Sequence, residues 1–298
     1  VWVRAHHRNT PTETAPGPAA ILTGALMLDP LGCLKGGAAI RRAVEAGIAA
    51  GERTGDLGGK LNTQACGEAG MGRMMEPAGI AAEVEAFFQP KVLAGKRVLV
   101  TAGPTEEAID PVRVITNSSS GKMGFAVARA AREAGARVTL VSGPVALDTP
   151  AGVERVNVRS ARQMFEAVKS ALRGQDVFVA VAAVADWKVK KSSAQKMKKV
   201  NGRPPTLEFE ENPDILAWVA AQKNAPFCVG FAAESESLDR NARAKRAKKG
   251  VPLIAANLAQ EALGADDNAI TLLDARGRHS LGRGPKLEQA RKLLAHVA

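Results

Sequence analysis

The 298-residue chain is 46% hydrophobic and 24% charged, a globular composition that excludes disorder along its whole length. Tyrosine is absent and aromatic residues make up 4%, too few for stacking platforms on single-stranded nucleic acid, while a net charge of +11 favours polyanions in general, from nucleic acid to small phosphorylated ligands. Three cysteines, Cys33, Cys66 and Cys228, odd in number and far apart, exclude a disulfide scaffold and point to a reducing cytoplasmic setting, and the lack of a CxxC pair argues against a structural zinc site.

In chain order, residues 1–89 are rich in Ala and Gly and show little strand pattern. The opening residues, with His6, His7 and a Thr/Pro stretch over 10–18, predict a poorly ordered segment. The apolar stretch 19–28 is too short to span a bilayer, so no membrane association is expected. Helical spacing predicts helices over 37–50 and 77–88, the second carrying Ile80, Val84, Phe87 and Phe88, and 90–96 reads as a linker. From Lys96 apolar runs suited to buried strands recur at 97–101, 137–141, 177–183, 228–232 and 253–256. Helical segments alternate with them at 121–134, 160–172, 214–222 and 238–249, and a last strand over 269–273 and a helix over 286–297 close the chain. This alternation predicts an α/β, Rossmann-like, doubly wound and mostly parallel sheet, with ligands met at the carboxyl ends of its strands.

The loops at those ends are therefore where chemistry is sought. The first strand runs into Thr101-Ala-Gly103-Pro-Thr105, where Gly103 lets a ligand approach the backbone, or serves only a tight turn. It lacks the G-x-G-x-x-G dinucleotide fingerprint. The loop 115–124, with Asn117, Ser118, Ser119, Ser120, Gly121 and Lys122, leads small polar residues into a helix start, whose free N–H groups favour an anion. It is similar to a P-loop, but Thr116 and Met123 stand where that motif needs Gly and Ser/Thr. Asp186 ends a very apolar run, fitting either a Mg²⁺ contact or a loop start. The basic stretches 188–191 and 196–199 predict a flap leaving the sheet, suited to a mobile phosphate, to a solvated face or to RNA. Asn241, Lys245 and Lys249 fall on one helix stripe, either lining a cleft or facing solvent.

Taken together, GKRVLVTAGPTEEAIDPVRVITNSSSGKMG (95–124), VAVAAVADW (179–187), KMKK (196–199), ENPDIL (211–216), GFAAES (230–235) and NARAKRAKKG (241–250) resemble the phosphopantothenate–cysteine ligases, the second half of a bifunctional coenzyme A biosynthesis protein. The blocks occur in the family's order and cover residues 93–298. The resemblance implies a Rossmann-type fold and a two-step reaction. The carboxylate of 4′-phosphopantothenate attacks the α-phosphate of CTP, and cysteine then displaces CMP from the acyl-cytidylate. It implies catalytic roles for Asn117, in the second step, and for Lys196, in the first. It implies a CTP site of Ala180, Val181, Ala182, Asp186, Lys196, Asn212, Pro213, Asp214, Ile215, Phe231, Lys245 and Lys249, with Mg²⁺ on Asp186. A homodimer is implied as well.

Residues 1–92 match the family only in part. Gln64-Ala-Cys66-Gly-Glu68 and Gly72-Arg-Met-Met-Glu76 resemble the end of its flavin-dependent decarboxylase domain, where Cys66 would donate a proton, and Val1-Trp2 resembles the end of an upstream motif. Residues 3–61 depart from the pattern and offer FMN no site, so a truncated or disrupted decarboxylase part with an inert Cys66 is expected. Three rivals to a ligase remain. A nicotinamide oxidoreductase needs a glycine-rich first loop, which is absent; a basic nucleic-acid-binding module needs salt-sensitive binding without nucleotide turnover; an inactive scaffold needs a partner enzyme.

Overall fold

The computed structural model describes residues 77–199, 205–258, 260 and 264–298, with helical positions at 38, 40–42, 45, 46 and 49. The chain divides into two compact units, Val1–Val84 and Glu85–Ala298, and helix α1 (Pro77–Phe88) runs across the division. The stretches carrying Cys33, Cys66 and the N-terminal histidines lie outside the described residues.

The second unit is built on one eight-stranded sheet. Its parallel strands are β1 (Arg97–Ala102), β4 (Arg137–Ser142), β5 (Val153–Asn157), β6 (Val177–Ala180), β9 (Phe227–Glu234) and β10 (Leu253–Leu258). Two antiparallel strands, β11 (Asp267–Leu273) and β12 (Arg278–Pro285), extend it, giving the order β12-β11-β10-β9-β6-β1-β4-β5. Alternation along β1 shows why its sequence is uniformly apolar. Val98 and Val100 enter a core with Val127, Ala131, Leu293 and Leu294, whereas Leu99 enters the opposite core with Phe178, Met164 and Ile254. Helices α2 (Lys122–Glu133) and α6 (Lys286–Val297) cover the first face. The second is covered by α3 (Ala161–Ala171), α4 (Ile215–Ala220) and α5 (Leu238–Lys249). With both faces dry, each fully buried Leu or Phe stabilises the fold by roughly 1.5–3 kcal/mol. Helix α3 begins where Ser160 and Gln163 form a reciprocal capping box.

The expected α/β sheet is present, with four corrections. The strand expected over 177–183 ends at Ala180, after which Val181 and Ala183 donate to the carbonyls of Thr101 and Gly103 and track the loop beyond β1. The 90–96 segment is no free linker: Leu93 is buried and its N–H donates to Ala134, while Lys91 binds the Glu133 carbonyl. Strands β5 and β12 escape the apolar-run criterion because both edges of the sheet are half-exposed, and β12 carries Gly282, Gly284 and Pro285, which read as loop. Two short hairpins also go unpredicted, β2 (Glu106–Ala108) with β3 (Val114–Thr116), and β7 (Trp187–Val189) with β8 (Phe209–Glu211). Among the described residues no helix is long and apolar enough to cross a membrane.

Candidate active site

The loop between β3 and α2 lies at the carboxyl end of β1, as the parallel sheet requires. Gly121 caps α2 with φ 76°, and no side chain caps the helix. Of the three serines, Ser119 accepts only from the Gly121 N–H, so serine N-capping is not what this loop is for. The first-turn N–H groups of α2 therefore remain available to an anion. Glycine is needed at 121 by that backbone angle, and because a Cβ there would stand 2.8 Å from Val145 Cγ1. Gly143, which follows β4, is pressed harder still: a Cβ would fall 1.6 Å from the Pro104 carbonyl oxygen.

A cleft opens in front of this loop. Gly103, Ser119, Ser120, Gly121, Lys122, Val181 and Phe231, all singled out from sequence, line it together. Lys122 is held by Asp266 at 2.5 Å. Three further polar residues that the sequence reading missed complete the lining: Asn257, Asn268 and Lys286. Asn257 ends the apolar β10 run, a polar residue at a strand's carboxyl end that the rule applied to Asp186 would have found. Asn268 and Lys286 carry no such signal. Asn268 reaches this edge because β11 runs antiparallel to β10 and so starts where β10 stops, and Lys286 because β12 runs back antiparallel to β11 and ends beside Asp267. Asn268 is buried and its Oδ1 has no partner among the described residues, and burial pushes the Lys286 ammonium below the usual lysine range.

The other predicted residues surround the cleft without lining it. Ala180 ends β6, and the Ala182 N–H donates to Thr101 Oγ1 at 3.4 Å. Asn117 donates its amide to the carbonyls of Ala183 and Val184, at 3.2 and 3.0 Å. Both Nδ2 protons are thereby taken up, so donation to a substrate oxygen requires one of these bonds to open. Asp186 is exposed and its carbonyl accepts from the Asn212 N–H; Asn212 in turn donates its amide to Ala185. Beyond Pro213, Asp214 caps α4 through the Ala217 N–H, and Ile215 is buried as the first residue of that helix.

The α5 stripe turns inward rather than to solvent. Lys245 donates to the Phe231 carbonyl at 2.8 Å, Lys249 pairs with Asp214, and Asn241 donates to Glu234 at 3.1 Å. Burial lowers the Lys245 pKa, against the attraction of Glu234. Burial pushes the Asp214 carboxyl up, but the Lys249 ammonium and the Ala217 N–H outweigh it and hold the group below the usual carboxylate range.

The flap is less basic in effect than in composition. Lys188 pairs with Glu210 at 2.7 Å and Lys190 with Glu208 at 3.6 Å across the β7–β8 hairpin. Lys196 is exposed, and its neighbour Met197 is clamped from both sides: the Met197 N–H donates to Asp110 and its carbonyl accepts from Arg113. The Arg113 guanidinium beside Asp110 holds that carboxyl well below the usual range. Cys228 is buried and its thiol is pushed up to about 11, which leaves it chemically quiet.

Comparison with known proteins follows the same outline. A family model described as the DNA/pantothenate metabolism flavoprotein C-terminal domain matches residues 93–298. The coenzyme A biosynthesis bifunctional protein CoaBC of Vibrio cholerae is 52% identical over 223 residues, 73% of this chain and 56% of the relative. The CoaBC of Escherichia coli K12 is 46% identical over 217 residues, 70% of this chain and 53% of the relative. A crystal structure of the C-terminal domain of a CoaBC superposes with a TM-score of 0.60 at 39% identity, covering 70% of this chain and 96% of that one. The chain thus spans a little over half the length of these curated relatives.

Proposed function

Because the chain belongs to the DNA/pantothenate metabolism flavoprotein C-terminal domain family, we propose that it joins 4′-phosphopantothenate to L-cysteine using CTP, the ligase step of coenzyme A biosynthesis, in the cytoplasm. The observation that carries this reading is the uncapped start of α2, opening on a cleft beside two inward-facing lysines. A nucleoside triphosphate matches that combination of backbone N–H groups and ammonium groups.

In the first step the substrate carboxylate attacks the α-phosphorus of CTP; the P–O bond to the β-phosphate breaks, giving acyl-cytidylate and pyrophosphate. The N–H groups of residues 122–124 and the Lys122 ammonium hold phosphate oxygens. Lys245 and Lys249 exchange the Phe231 carbonyl and Asp214 for the same anion. Lys196, on the flap fixed by Asp110 and Arg113, offsets charge as pyrophosphate leaves. Mg²⁺ is commonly held by one or two carboxylates together with phosphate oxygens, and the exposed Asp186 carboxylate fits that pattern, the ion supplying charge neutralisation on the triphosphate. In the second step the cysteine amine attacks the acyl carbon, the C–O bond to CMP breaks, and the amine proton is lost to solvent. Asn117 opens one of its two carbonyl bonds and donates to the oxygen of the tetrahedral adduct. Ala180, Val181, Ala182, Asn212, Pro213, Ile215 and Phe231 supply the walls against the nucleoside. No flavin step is part of this proposal, since Cys66 lies outside the described residues.

We also propose a homodimer. Val112 and Val114 on the β2–β3 hairpin, and Trp187 and Phe209 on the β7–β8 hairpin, are exposed apolar side chains suited to cover by a second copy. The test of the activity is pyrophosphate release with 4′-phosphopantothenate, Mg²⁺ and CTP, followed by CMP release on adding cysteine, with ATP as control. Pyrophosphate with CTP and cysteine-dependent CMP are expected. A folded dimer that turns over neither nucleotide would contradict the ligase reading in favour of a scaffold.

A further inference from the structure

We propose that Asp274, His279 and His296 form a binding site for a transition-metal cation of the Zn²⁺ class, separate from the nucleotide cleft and from the reaction's Mg²⁺. The absence of CxxC argues only against a cysteine-ligated site; the fold gathers a different donor set. Asp274 follows β11, His279 lies on β12, and His296 is in the last turn of α6. Their ligand atoms all lie within 4.8 Å of one another. His279 Nε2 is 3.1 Å from Asp274 Oδ1, His296 Nε2 is 2.9 Å from Asp274 Oδ2, and the two rings stand 4.8 Å apart between centroids.

Three features point to a cation rather than to a pair of ordinary hydrogen bonds. Both imidazoles present the same nitrogen, Nε2, to one carboxylate, so a single ion can take both. Metal–ligand bonds of about 2.0–2.2 Å in a tetrahedral site put ligand atoms about 3.4 Å apart, about half an ångström beyond the 2.9 Å between His296 Nε2 and Asp274 Oδ2. The carboxylate is also held in place: its Oδ1 accepts from the N–H groups of Arg276 and Gly277, at 2.7 and 3.0 Å, which leaves Oδ2 for the metal. On binding, each imidazole carries its proton on Nδ1 and gives the Nε2 lone pair to the ion. Two imidazoles and one carboxylate select Zn²⁺ or its neighbours over Mg²⁺, with a water completing the tetrahedron. Asp274 lies six residues along β11 from Asn268 in the cleft, about 20 Å at strand rise, so the ion would not touch the nucleotide. It would instead staple the end of α6, which packs beside α2 in one core, to the β11–β12 turn.

The test uses the tag-free chain and Zn²⁺ itself, titrated against a chromophoric chelator, with Co²⁺ substitution read by its d–d absorption. His279→Gln, His296→Gln and Asp274→Asn are compared with a His6→Gln/His7→Gln control; the asparagine keeps a carbonyl oxygen for the turn. We expect one Zn²⁺ equivalent that Mg²⁺ does not displace. Loss of any of the three ligands should weaken binding roughly 100-fold, with the control unaffected. Zn²⁺ at about 100 times its Kd should raise the unfolding midpoint by about 5 °C in the parent and the control only. No saturable equivalent, no Co²⁺ bands, or binding lost in the His6/His7 control but kept in His296→Gln would overturn the proposal. None of these outcomes depends on ligase activity, so this site and the proposed function stand or fall separately.

Discussion

The two sides of the cleft present donors of two different kinds. On the α2 side the donors are backbone N–H groups, shaped by glycines, uncapped and fixed before any ligand arrives. On the α5 side the donors are ammonium groups already satisfied by the Phe231 carbonyl and by Asp214. The first side is a rigid mould whose loss should damage the fold itself. The second is a set of exchangeable charges, whose loss should damage catalysis while leaving the fold nearly intact. Preorganised backbone donors need no rearrangement to meet a ligand, whereas in the proposed reaction the lysines would trade one partner for another.

That contrast can be broken most sharply at Gly143. Its absent Cβ would overlap the Pro104 carbonyl, so Gly143→Ala should cost about 3 kcal/mol in urea unfolding. An unchanged midpoint would mean that the mould is soft. On the exchangeable side, Lys249→Ala should lower kcat/KM for CTP by roughly 100-fold while shifting stability by less than about 1 kcal/mol. Equal losses in both readouts would place Lys249 with the mould instead. Asn117→Ala should separate the half-reactions: cysteine-dependent CMP release should fall at least about tenfold more than pyrophosphate formation. A uniform fall in the two rates would remove the residue from the second step. The smallest effect belongs to the flap anchor. With Arg113 as the main cause, Asp110 stays ionised in the folded chain at pH values where the unfolded chain is protonated. Its contribution is therefore complete above about pH 4 and is lost as pH falls below it, and Asp110→Asn should flatten the acid limb of the stability curve. An acid limb as steep as the parent's would locate the sensitivity elsewhere.

The mould was legible in the sequence because it depends on local rules. A Val/Leu run over 97–101 reads as a strand buried on both faces, and a small polar loop running into a helix reads as an anion seat. The α5 stripe was legible as spacing, but not its direction, since Asp214 and the Phe231 carbonyl come from other elements. Asn268 and Lys286 were not legible at all: an antiparallel extension carries them to the cleft, and no local pattern announces which way a strand runs. The Asp274, His279 and His296 cluster was hidden for the same reason. Edge strands β5 and β12 and the two hairpins were missed because half-exposed strands lack a continuous apolar run. The six family blocks, by contrast, identified the family, and the nucleotide chemistry proposed for the cleft rests on them where spacing alone left phosphate, RNA and solvent open.

In the proposed reaction the substrate carboxylate attacks the α-phosphorus of CTP. Ligation should be run with 4′-phosphopantothenate labelled with ¹⁸O in its carboxylate, and the products separated by mass. One labelled oxygen is expected in CMP, with none in pyrophosphate, because the C–O bond breaks when the cysteine amine displaces the nucleotide. Label in inorganic phosphate, with CDP as the nucleotide product, would instead mean attack at the γ-phosphorus and would contradict the acyl-cytidylate route.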